Sequence, residues 1–263
     1  MRNRCCLLLL ILLTAGCASD GRQPLLGEGL SWSPGWDRVA QEVRDSARDP
    51  AVWGPLLGAV LLQAGDADTR LSDRLREDRP LFGSTDNAQR ASDDWRDLAG
   101  LLWLGSAVLA PGPEEAGDWL SLKGQLLAQE WLAAKAARGL TSGLKSLTGR
   151  ERPNGLNDRS FPSGHATTAS VQAHLACYNL SHSGYSGELP GGLCRLGQGA
   201  AMLTAWARVE AGMHYPSDVL VGWAIGRFFA RSAEAWLGDG RGHPQVDARL
   251  LGRDWELSLR WQF

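Results

Sequence analysis

Lysine is scarce in this chain of 263 residues, where it occurs only as Lys123, Lys135 and Lys145. Arginine is plentiful, but there is no long block of basic residues, and the formal net charge is -2. Proteins that bind nucleic acids neutralise phosphates with clustered cations, so this charge pattern argues against a nucleic-acid partner. The apolar fraction of 44% fits an ordinary globular core.

Long hydrophobic runs are also missing from the chain. The longest uncharged apolar stretches, residues 51–65 and 98–113, fall short of the ~20 residues that a membrane-spanning helix needs. The sequence therefore predicts a soluble core. The 12 tryptophans suit a position near a membrane interface, and packing within the core explains them equally well.

The N-terminus has the pattern of an export signal. A basic start and a short apolar run precede two small residues and a cysteine, at Arg2, Arg4, residues 7–13, Ala15, Gly16 and Cys17. This order resembles a bacterial lipoprotein processing site, so we expect residues 1–16 to be removed and Cys17 to carry lipid. Ala18, at the next position, indicates transfer to the periplasmic face of the outer membrane. The alternative is a soluble periplasmic protein.

Export also determines how the cysteines are interpreted. Once the signal peptide is removed and Cys17 carries lipid, only Cys177 and Cys194 remain, at the two ends of a Gly/Ser-rich loop. In an oxidising compartment they are candidates for one disulfide, which is worth ~3 kcal/mol for so short a loop. Two free buried thiols are the alternative.

Helical periodicity dominates from Trp36 onward. We expect helices over residues 50–64, 66–77, 87–110, 114–148, 162–178, 193–211 and 216–237. These helices predict one all-α bundle over residues 36–240, preceded by a Gly- and Pro-rich tether at residues 17–35. Residues 241–263 alternate apolar with polar side chains near the end, which predicts a small C-terminal β-hairpin that caps the bundle.

Two fragments in the middle of the chain contain residues suited to phosphate binding. Lys145 and Arg152 are two helical turns apart, so both cations can project from one face near a helix end. Alone, such a pair is more often a solvated surface. In P-S-G-H, residues 162–165, Gly164 lets an anion approach the backbone, and the Ser163 hydroxyl with the free N–H groups forms an anion site at a helix start. His165 either donates a proton to a leaving oxygen or only caps the helix.

A third fragment, residues 208–218, adds a cation and a candidate nucleophile. Asp218 follows His214 by four residues, so its carboxylate can accept the imidazole N–H and leave the other ring nitrogen free to attack. Arg208 precedes His214 by six residues. A His/Asp pair at a helix start is otherwise often mere capping. Together the three fragments supply what phosphoryl transfer needs: charge clamps, a nucleophile and a proton donor.

These fragments resemble the motifs of the type 2 phosphatidic acid phosphatases, whose fold is shared with bacterial class A acid phosphatases and vanadium haloperoxidases. The family pattern is K-x6-R-P, then P-S-G-H, then S-R-x5-H-x3-D, and it matches at Lys145, Arg152, Pro153, Pro162, Ser163, Gly164, His165, Arg208, His214 and Asp218. Ala207 stands where the family usually has serine. The link of eight residues between Pro153 and Pro162 is shorter than usual.

The resemblance implies the family's all-α bundle and a role for each matching residue. It implies that His214 attacks phosphorus and forms a phosphohistidine, that Asp218 orients it, and that His165 protonates the leaving group. The residues expected to hold the phosphate are Lys145, Arg152, Ser163, Gly164 and Arg208. Neither a metal nor a cofactor is implied.

The implied activity is a metal-independent phosphatase acting on a phosphomonoester or a diphosphate. The expected lipid anchor and the tryptophans favour a phosphorylated lipid, of the phosphatidic acid or isoprenyl diphosphate type. A non-specific periplasmic acid phosphatase acting on small soluble phosphomonoesters is the main alternative. A vanadium-dependent haloperoxidase and an inactive structural lipoprotein are the further alternatives.

Overall fold

The structure is a computed structural model that describes residues 26–27 and 30–237, together with the backbone of residues 245–251 and 254–260. The expected signal peptide and the lipid attachment site at Cys17 lie outside the described residues. Within the described part of the chain, no helix combines the length and the apolar character needed to cross a membrane.

The described residues form helices followed by two strands. The helices are α1 (Trp36–Arg48), α2 (Pro50–Gln63), α3 (Ala67–Asp78), α4 (Thr85–Leu109), α5 (Ala116–Thr148), α6 (Gly164–Ser181), α7 (Glu188–Glu210), α8 (Pro216–Ser232) and α9 (Glu234–Leu237). Strands β1 (Gln245–Leu251) and β2 (Asp254–Arg260) pair antiparallel, with Leu251 opposite Asp254. The prediction of an all-α bundle is confirmed, and the strands form the hairpin expected at the C-terminus.

Five helix starts differ from the sequence prediction by one to five residues, and two of these differences have a local explanation. Helix α6 begins at Gly164, with Ser163 as its N-cap in an extended conformation, so the prediction that Pro162 is helical is wrong. The Ser163 N–H donates to the carbonyl oxygen of Asp218 at 2.9 Å, which holds the chain outside the helix at this point. Helix α7 begins at Glu188, five residues before the expected Leu193. Pro190 is tolerated there because N–H groups in a first helical turn have no intrahelical partner.

Helix α6 is the centre of the bundle and packs against α4, α5, α7 and α8. Its contact with α8 is unusually close because two glycines of α8 face it. A Cβ atom on Gly222 would lie 2.5 Å from the carbonyl oxygen of Ser163, and one on Gly226 would lie 2.6 Å from that of Thr167. The two helix backbones therefore touch, and both helices begin at the same end of the bundle.

The opposite end of the bundle holds the N-terminal segment and the disulfide. Leu26 is buried in a cluster with Tyr178 and Leu237, where α6 and α9 end. The expected tether at residues 17–35 therefore has a packed end. Cys177 and Cys194 are joined by a disulfide that links the last turns of α6 to the first turns of α7.

A buried polar cluster lies between α4, α5 and α6. The Glu130 carboxylate accepts a hydrogen bond from Trp103 Nε1 at 2.7 Å, while its other oxygen has no partner among the described residues. Lys123 is also buried, and its Nζ donates to the carbonyl oxygen of Pro111 at 3.4 Å. Burial raises the pKa of Glu130 to about 8, against the opposing effects of Trp103, Asn179 of α6 and Lys123. Glu130 is therefore largely protonated at neutral pH.

Replacing Glu130 by Gln is expected to remove part of the pH dependence of stability. In the unfolded chain the pKa of Glu130 is near 4.5 and in the folded chain about 8, so the folded state alone holds the proton between these values. The free energy of unfolding of the wild-type protein therefore falls as pH rises through this window, by on the order of a few kcal/mol. Urea unfolding at pH 5, 7 and 9 measures it. If the free energy of unfolding of the Glu130→Gln variant falls with pH as much as that of the wild type, Glu130 is not the group responsible. Glu114→Gln, at an exposed position, is the control and should leave the pH dependence unchanged.

The contact between α6 and α8 predicts a large cost for Gly226→Ala. The added methyl group meets backbone atoms of α6, so the free energy of unfolding is expected to fall by roughly 1–3 kcal/mol, measured by urea denaturation. Gly199→Ala in α7 is the control, because a Cβ atom there meets nothing within 4 Å and alanine favours the helix. Equal effects of both substitutions would rule out the proposed crowding.

Candidate active site

The three motif fragments meet at the end of the bundle where α6 and α8 begin. Lys145 lies in the last turn of α5, and its Nζ donates to the carbonyl oxygens of Arg159 at 2.8 Å and Ser160 at 3.4 Å. Arg208 lies in the last turn of α7, and His214 lies in the turn before α8. The close contact between α6 and α8 places the P-S-G-H turn beside the start of α8.

His214 is oriented by a backbone carbonyl. The residue is buried, and its Nδ1 donates to the carbonyl oxygen of Ser160 at 2.6 Å. Nδ1 therefore bears the proton, and Nε2 keeps its lone pair. Burial lowers the pKa of His214 to about 4, and the positive charges of Arg208 and Lys145 lower it further against the effect of Asp218. The imidazole is thus neutral at pH 7 with one nitrogen available for attack.

Asp218 does not accept the imidazole N–H directly, contrary to the sequence prediction. Its Oδ2 lies 3.8 Å from His214 Nδ1, which is too long for a hydrogen bond. Oδ2 instead accepts from the Ser160 hydroxyl at 2.5 Å and from the Tyr215 N–H at 2.9 Å. The reason is that Asp218 is the third residue of α8 and turns back to cap that helix. Ser160 therefore connects the carboxylate to the histidine, through its hydroxyl on one side and its carbonyl on the other.

Arg150 holds the Asp218 carboxylate and was not identified from the sequence. Its Nη1 donates to Asp218 Oδ1 at 2.7 Å, its Nη2 donates to Asp68 Oδ2 at 2.8 Å, and its guanidinium lies 3.9 Å from the Tyr215 ring centre. Burial raises the pKa of Asp218, but His214, Ser160 and Arg150 together lower it further, so the net shift is downward. No motif marks Arg150 or Asp68. Ser160 directly precedes F-P-S-G-H, which is the only signal for it.

Of the three predicted phosphate-binding cations, Arg208 is buried and Lys145 and Arg152 are partly buried, and the three lie near enough for their charges to interact. Arg208 Nη1 donates to Ser92 Oγ at 3.3 Å, and Arg152 Nη1 contacts Met213 Sδ at 3.0 Å. The Nε atoms of both arginines are buried without a hydrogen-bond partner in the described part of the chain. A buried cationic donor without a partner is costly, so this arrangement suits an anion.

The pKa values of these cations reflect the same crowding. Burial lowers the pKa of Lys145 to about 8, and the neighbouring Arg152 and Arg208 lower it further, against the effect of Asp218. Burial and the charge of Arg152 also lower the pKa of Arg208 to about 10. A bound anion would relieve this repulsion. The site is therefore electrostatically prepared for a group such as phosphate.

The start of α6 offers backbone donors beside Lys145. Ser163 is fully buried; its N–H is used by Asp218, and its hydroxyl oxygen caps the helix by accepting from the Ala166 N–H at 3.4 Å. Its expected contact with phosphate remains a prediction. The N–H groups of Gly164 and His165 stand in the first turn, where an α-helix provides no partner. A Cβ atom on Gly164 would lie 4.0 Å from Lys145 Cε, so this turn adjoins the lysine.

His165 is in contact with two charged side chains of α4 that the motifs do not include. Its Nε2 lies 3.0 Å from Asp93 Oδ1 and 2.8 Å from Arg96 Nη1. A neutral Nε2 with a lone pair accepts from Arg96, and a protonated Nε2 donates to Asp93. Burial lowers the pKa of His165 to about 4 together with Arg208 and Arg96, while Asp93 raises it. His165 is thus neutral at pH 7 in the empty site, and it has a different partner available in each protonation state.

A cavity of about 420 Å³ adjoins this network. It is lined by Gln63, Asp66, Asp68, Thr69, Thr148, Arg150 and Phe161. None of the site residues predicted from the sequence lines this cavity. Arg150 links this cavity to the catalytic residues because it bonds both Asp68 and Asp218, so the cavity lies beside the anion site rather than in it.

Comparisons with known proteins find the family that the motifs resemble. A model of the PAP2 superfamily matches residues 130–239. A lipid A 1-phosphatase of Porphyromonas gingivalis is 34% identical over 103 residues, which are 39% of this chain and 22% of that protein. A lipid A 1-phosphatase of Rhizobium johnstonii is 33% identical over 129 residues, covering 41% of this chain and 49% of that protein. The chain thus spans between about a fifth and a half of the length of these curated relatives.

A solved structure shares the fold. The crystal structure of a transmembrane PAP2 type phosphatidylglycerolphosphate phosphatase from Bacillus subtilis superposes with a TM-score of 0.53 at 20% sequence identity, covering 70% of this chain and 92% of that chain. The region matched by the superfamily model contains all three motif fragments and every predicted catalytic and phosphate-binding residue. The family that the motifs resemble is therefore the one whose model matches residues 130–239, the PAP2 superfamily.

Proposed function

We propose that this protein is a lipid phosphatase that hydrolyses a phosphomonoester or diphosphate through a phosphohistidine on His214. The observation that carries the proposal is a group of cations beside a neutral histidine whose Nδ1 donates to Ser160. The Nε atoms of Arg152 and Arg208 in this group are buried and have no hydrogen-bond partner among the described residues. The names of the relatives, lipid A 1-phosphatase and phosphatidylglycerolphosphate phosphatase, support a lipid phosphate as the substrate class.

In the first step, His214 Nε2 attacks phosphorus while the bond from phosphorus to the leaving oxygen breaks. Lys145, Arg152 and Arg208 hold the phosphoryl oxygens and stabilise the charge in the transition state, with the N–H groups at the start of α6. His165 gives its proton to the leaving oxygen. The dianion of the substrate offsets the nearby cations, which raises the pKa of His165 and allows it to act as an acid.

In the second step, water attacks the phosphohistidine. His165, now neutral, accepts a proton from that water as the bond between Nε2 and phosphorus breaks, and inorganic phosphate leaves. Positive charge develops on the imidazole in the first step and is lost in the second, and the Ser160 carbonyl stabilises Nδ1–H while the ring is charged. Asp218 fixes Ser160 in this position, and Arg150 fixes Asp218, so these residues act through His214 and do not contact phosphate.

The expected export of the chain supports a location for this activity. We infer from the N-terminal pattern that Cys17 carries lipid and that the domain faces the periplasm at the outer membrane. The disulfide between Cys177 and Cys194 is consistent with an oxidising compartment. A lipid anchor would keep the enzyme next to a lipid substrate.

Replacing His214 by Ala is expected to lower kcat by at least ~10³-fold, because no other group can form the covalent intermediate. Turnover is measured with phosphatidic acid in detergent, an isoprenyl diphosphate and a small aryl phosphate. Acid quenching of the wild-type reaction should trap a labelled phosphohistidine that the variant lacks. His182→Ala, at the far end of α6, is the control histidine and should retain activity.

Two outcomes of this experiment separate the chemistry from the substrate class. Full turnover by the His214→Ala variant would refute the mechanism. Good turnover of the aryl phosphate with none of the lipid phosphates would leave the mechanism intact and show a non-specific acid phosphatase instead.

Replacing Asp93 by Asn is expected to move the alkaline limb of the kcat profile to lower pH by about one unit. The direction follows because Asp93 raises the pKa of His165, and a general acid loses activity as pH rises through its pKa in the complex. The measurement is kcat against pH with the aryl phosphate, with exposed Asp94→Asn as the matched control. A uniform loss at every pH, with the limb unmoved, would mean that Asp93 has only a structural role.

A further inference from the structure

Helix α2 differs from an ordinary surface helix because none of its 14 residues is charged. Only Val52 and Ala59 are buried in the bundle. Its large apolar side chains are exposed to solvent, and we call this set the α2 apolar face: Trp53, Leu56, Leu57, Val60 and Leu61. Val60 is 68% exposed and Leu61 is 63% exposed. A contiguous apolar surface of this kind usually marks an interaction site.

The spacing of these residues places them on one side of the helix. Relative to Trp53, the other four stand three, four, seven and eight positions along the chain, which is the periodicity of a single helical face. The helix is about 21 Å long, shorter than the ~30 Å hydrocarbon core of a bilayer. It therefore has the dimensions of a helix that lies in a membrane interface rather than one that crosses it.

The α2 helix runs along the flank of α8 and ends at the candidate active site. At its beginning, Asp49 pairs with Arg227 at 2.7 Å. At its end, Gln63 Nε2 donates to the hydroxyl of Ser217, the neighbour of Asp218, at 3.4 Å. Gln63 also lines the cavity beside Arg150. A surface that covers the α2 apolar face therefore reaches the edge of the site.

The N-terminal segment packs at the other end of the bundle. The Ser31 N–H donates to the carbonyl oxygen of Trp236 at 3.0 Å, and Leu26 is buried against Leu237. The expected lipid on Cys17 is nine residues before Leu26, a reach of at most ~30 Å. Trp36, at the start of α1, is 86% exposed. The anchor thus leaves the protein at the end where α2 begins.

Cations flank the apolar face. Arg70 Nη2 donates to the carbonyl oxygen of Gly65, just beyond the C-terminal end of α2, and the arginine is exposed. Arg48 is exposed one residue before the N-cap of α2. An apolar face between cations fits a surface with a hydrocarbon interior and phosphate headgroups.

We infer that the α2 apolar face is the surface by which this domain lies on a phospholipid bilayer. The bilayer runs along the flank from the anchor to the cavity, so the headgroup of a lipid substrate meets the catalytic end of the bundle. This inference rests on the proposed function, because it assigns how a lipid substrate reaches that site.

The test measures vesicle binding separately from catalysis. The full chain carrying Cys17→Ser, which removes the acylation site, is sedimented with vesicles of phosphatidylethanolamine and phosphatidylglycerol. The double substitution Leu57→Glu with Val60→Glu should weaken vesicle binding ~10-fold or more, because apolar area is lost and negative charge faces anionic lipid. The neutral pair Leu57→Gln with Val60→Gln should show a smaller loss in the same direction.

The matched control is Leu101→Glu with Leu104→Glu on α4, where Leu101 is 68% exposed, as Val60 is. This control should bind vesicles as the parent does, and every variant should hydrolyse the soluble aryl phosphate within about twofold of the parent. Equal binding by parent and α2 variants, or equal loss in the α4 control, overturns the inference.

Two further results separate this inference from others. If the parent is a dimer in size-exclusion chromatography and the α2 substitutions dissociate it, the inference is also overturned, because the face would then bind a second copy of the chain. A parent that binds vesicles but has no phosphatase activity would reject the proposed function. If only the α2 substitutions then abolish vesicle binding, the docking surface is supported all the same.

Discussion

The direct backbone contact between α6 and α8 is the constraint on which the site depends. Gly222 and Gly226 let the two helices approach until main-chain atoms touch, and the bond between the Ser163 N–H and the Asp218 carbonyl joins their starts. One helix start then supplies backbone donors for an anion and the other carries the residues around His214. Larger residues at the glycine positions would move these two halves apart, although no catalytic side chain would change.

Charge is distributed unevenly around this contact. The acidic groups near His214 are fully engaged, since the Asp218 oxygens are taken up by Arg150, Ser160 and Tyr215. Among the cations opposite, the buried Nε atoms of Arg152 and Arg208 have no hydrogen-bond partner in the described part of the chain. Such an arrangement raises the free energy of the empty site, and a bound anion lowers it again. The same cations therefore increase the affinity for an anion and decrease the stability of the unliganded protein.

Much of the fold could be predicted because periodicity and breakers mark the long helices, and the resemblance covers the motif residues. The departures occur where tertiary contacts overrule local signals. Pro162 is a good first helical residue in isolation, yet the bond from Ser163 to Asp218 keeps the chain extended there. Asp218 has the right spacing to reach His214, but capping of its own helix turns its carboxylate away. No motif singles out Asp68 of α3, Asp93 and Arg96 of α4, or Arg150 after α5. Their part in the site is revealed only by the packing of these elements around it.

The segment that joins α5 to α6 has an unusual status for a loop. Its Arg150 carbonyl accepts from the Ser160 N–H, Arg152 N–H donates to Asn157, and the Asn154 N–H reaches across to Gly212. Surface loops ordinarily tolerate insertions, because their only task is to connect two elements. In this chain, one added or deleted residue would change the register between Arg150 and Ser160. The hydrogen bonds that these two residues make to Asp218 and His214 would then be lost or displaced. In this chain, changes to the lining of the cavity are therefore more readily accommodated in α2 and α3, which border it, than in the loop itself.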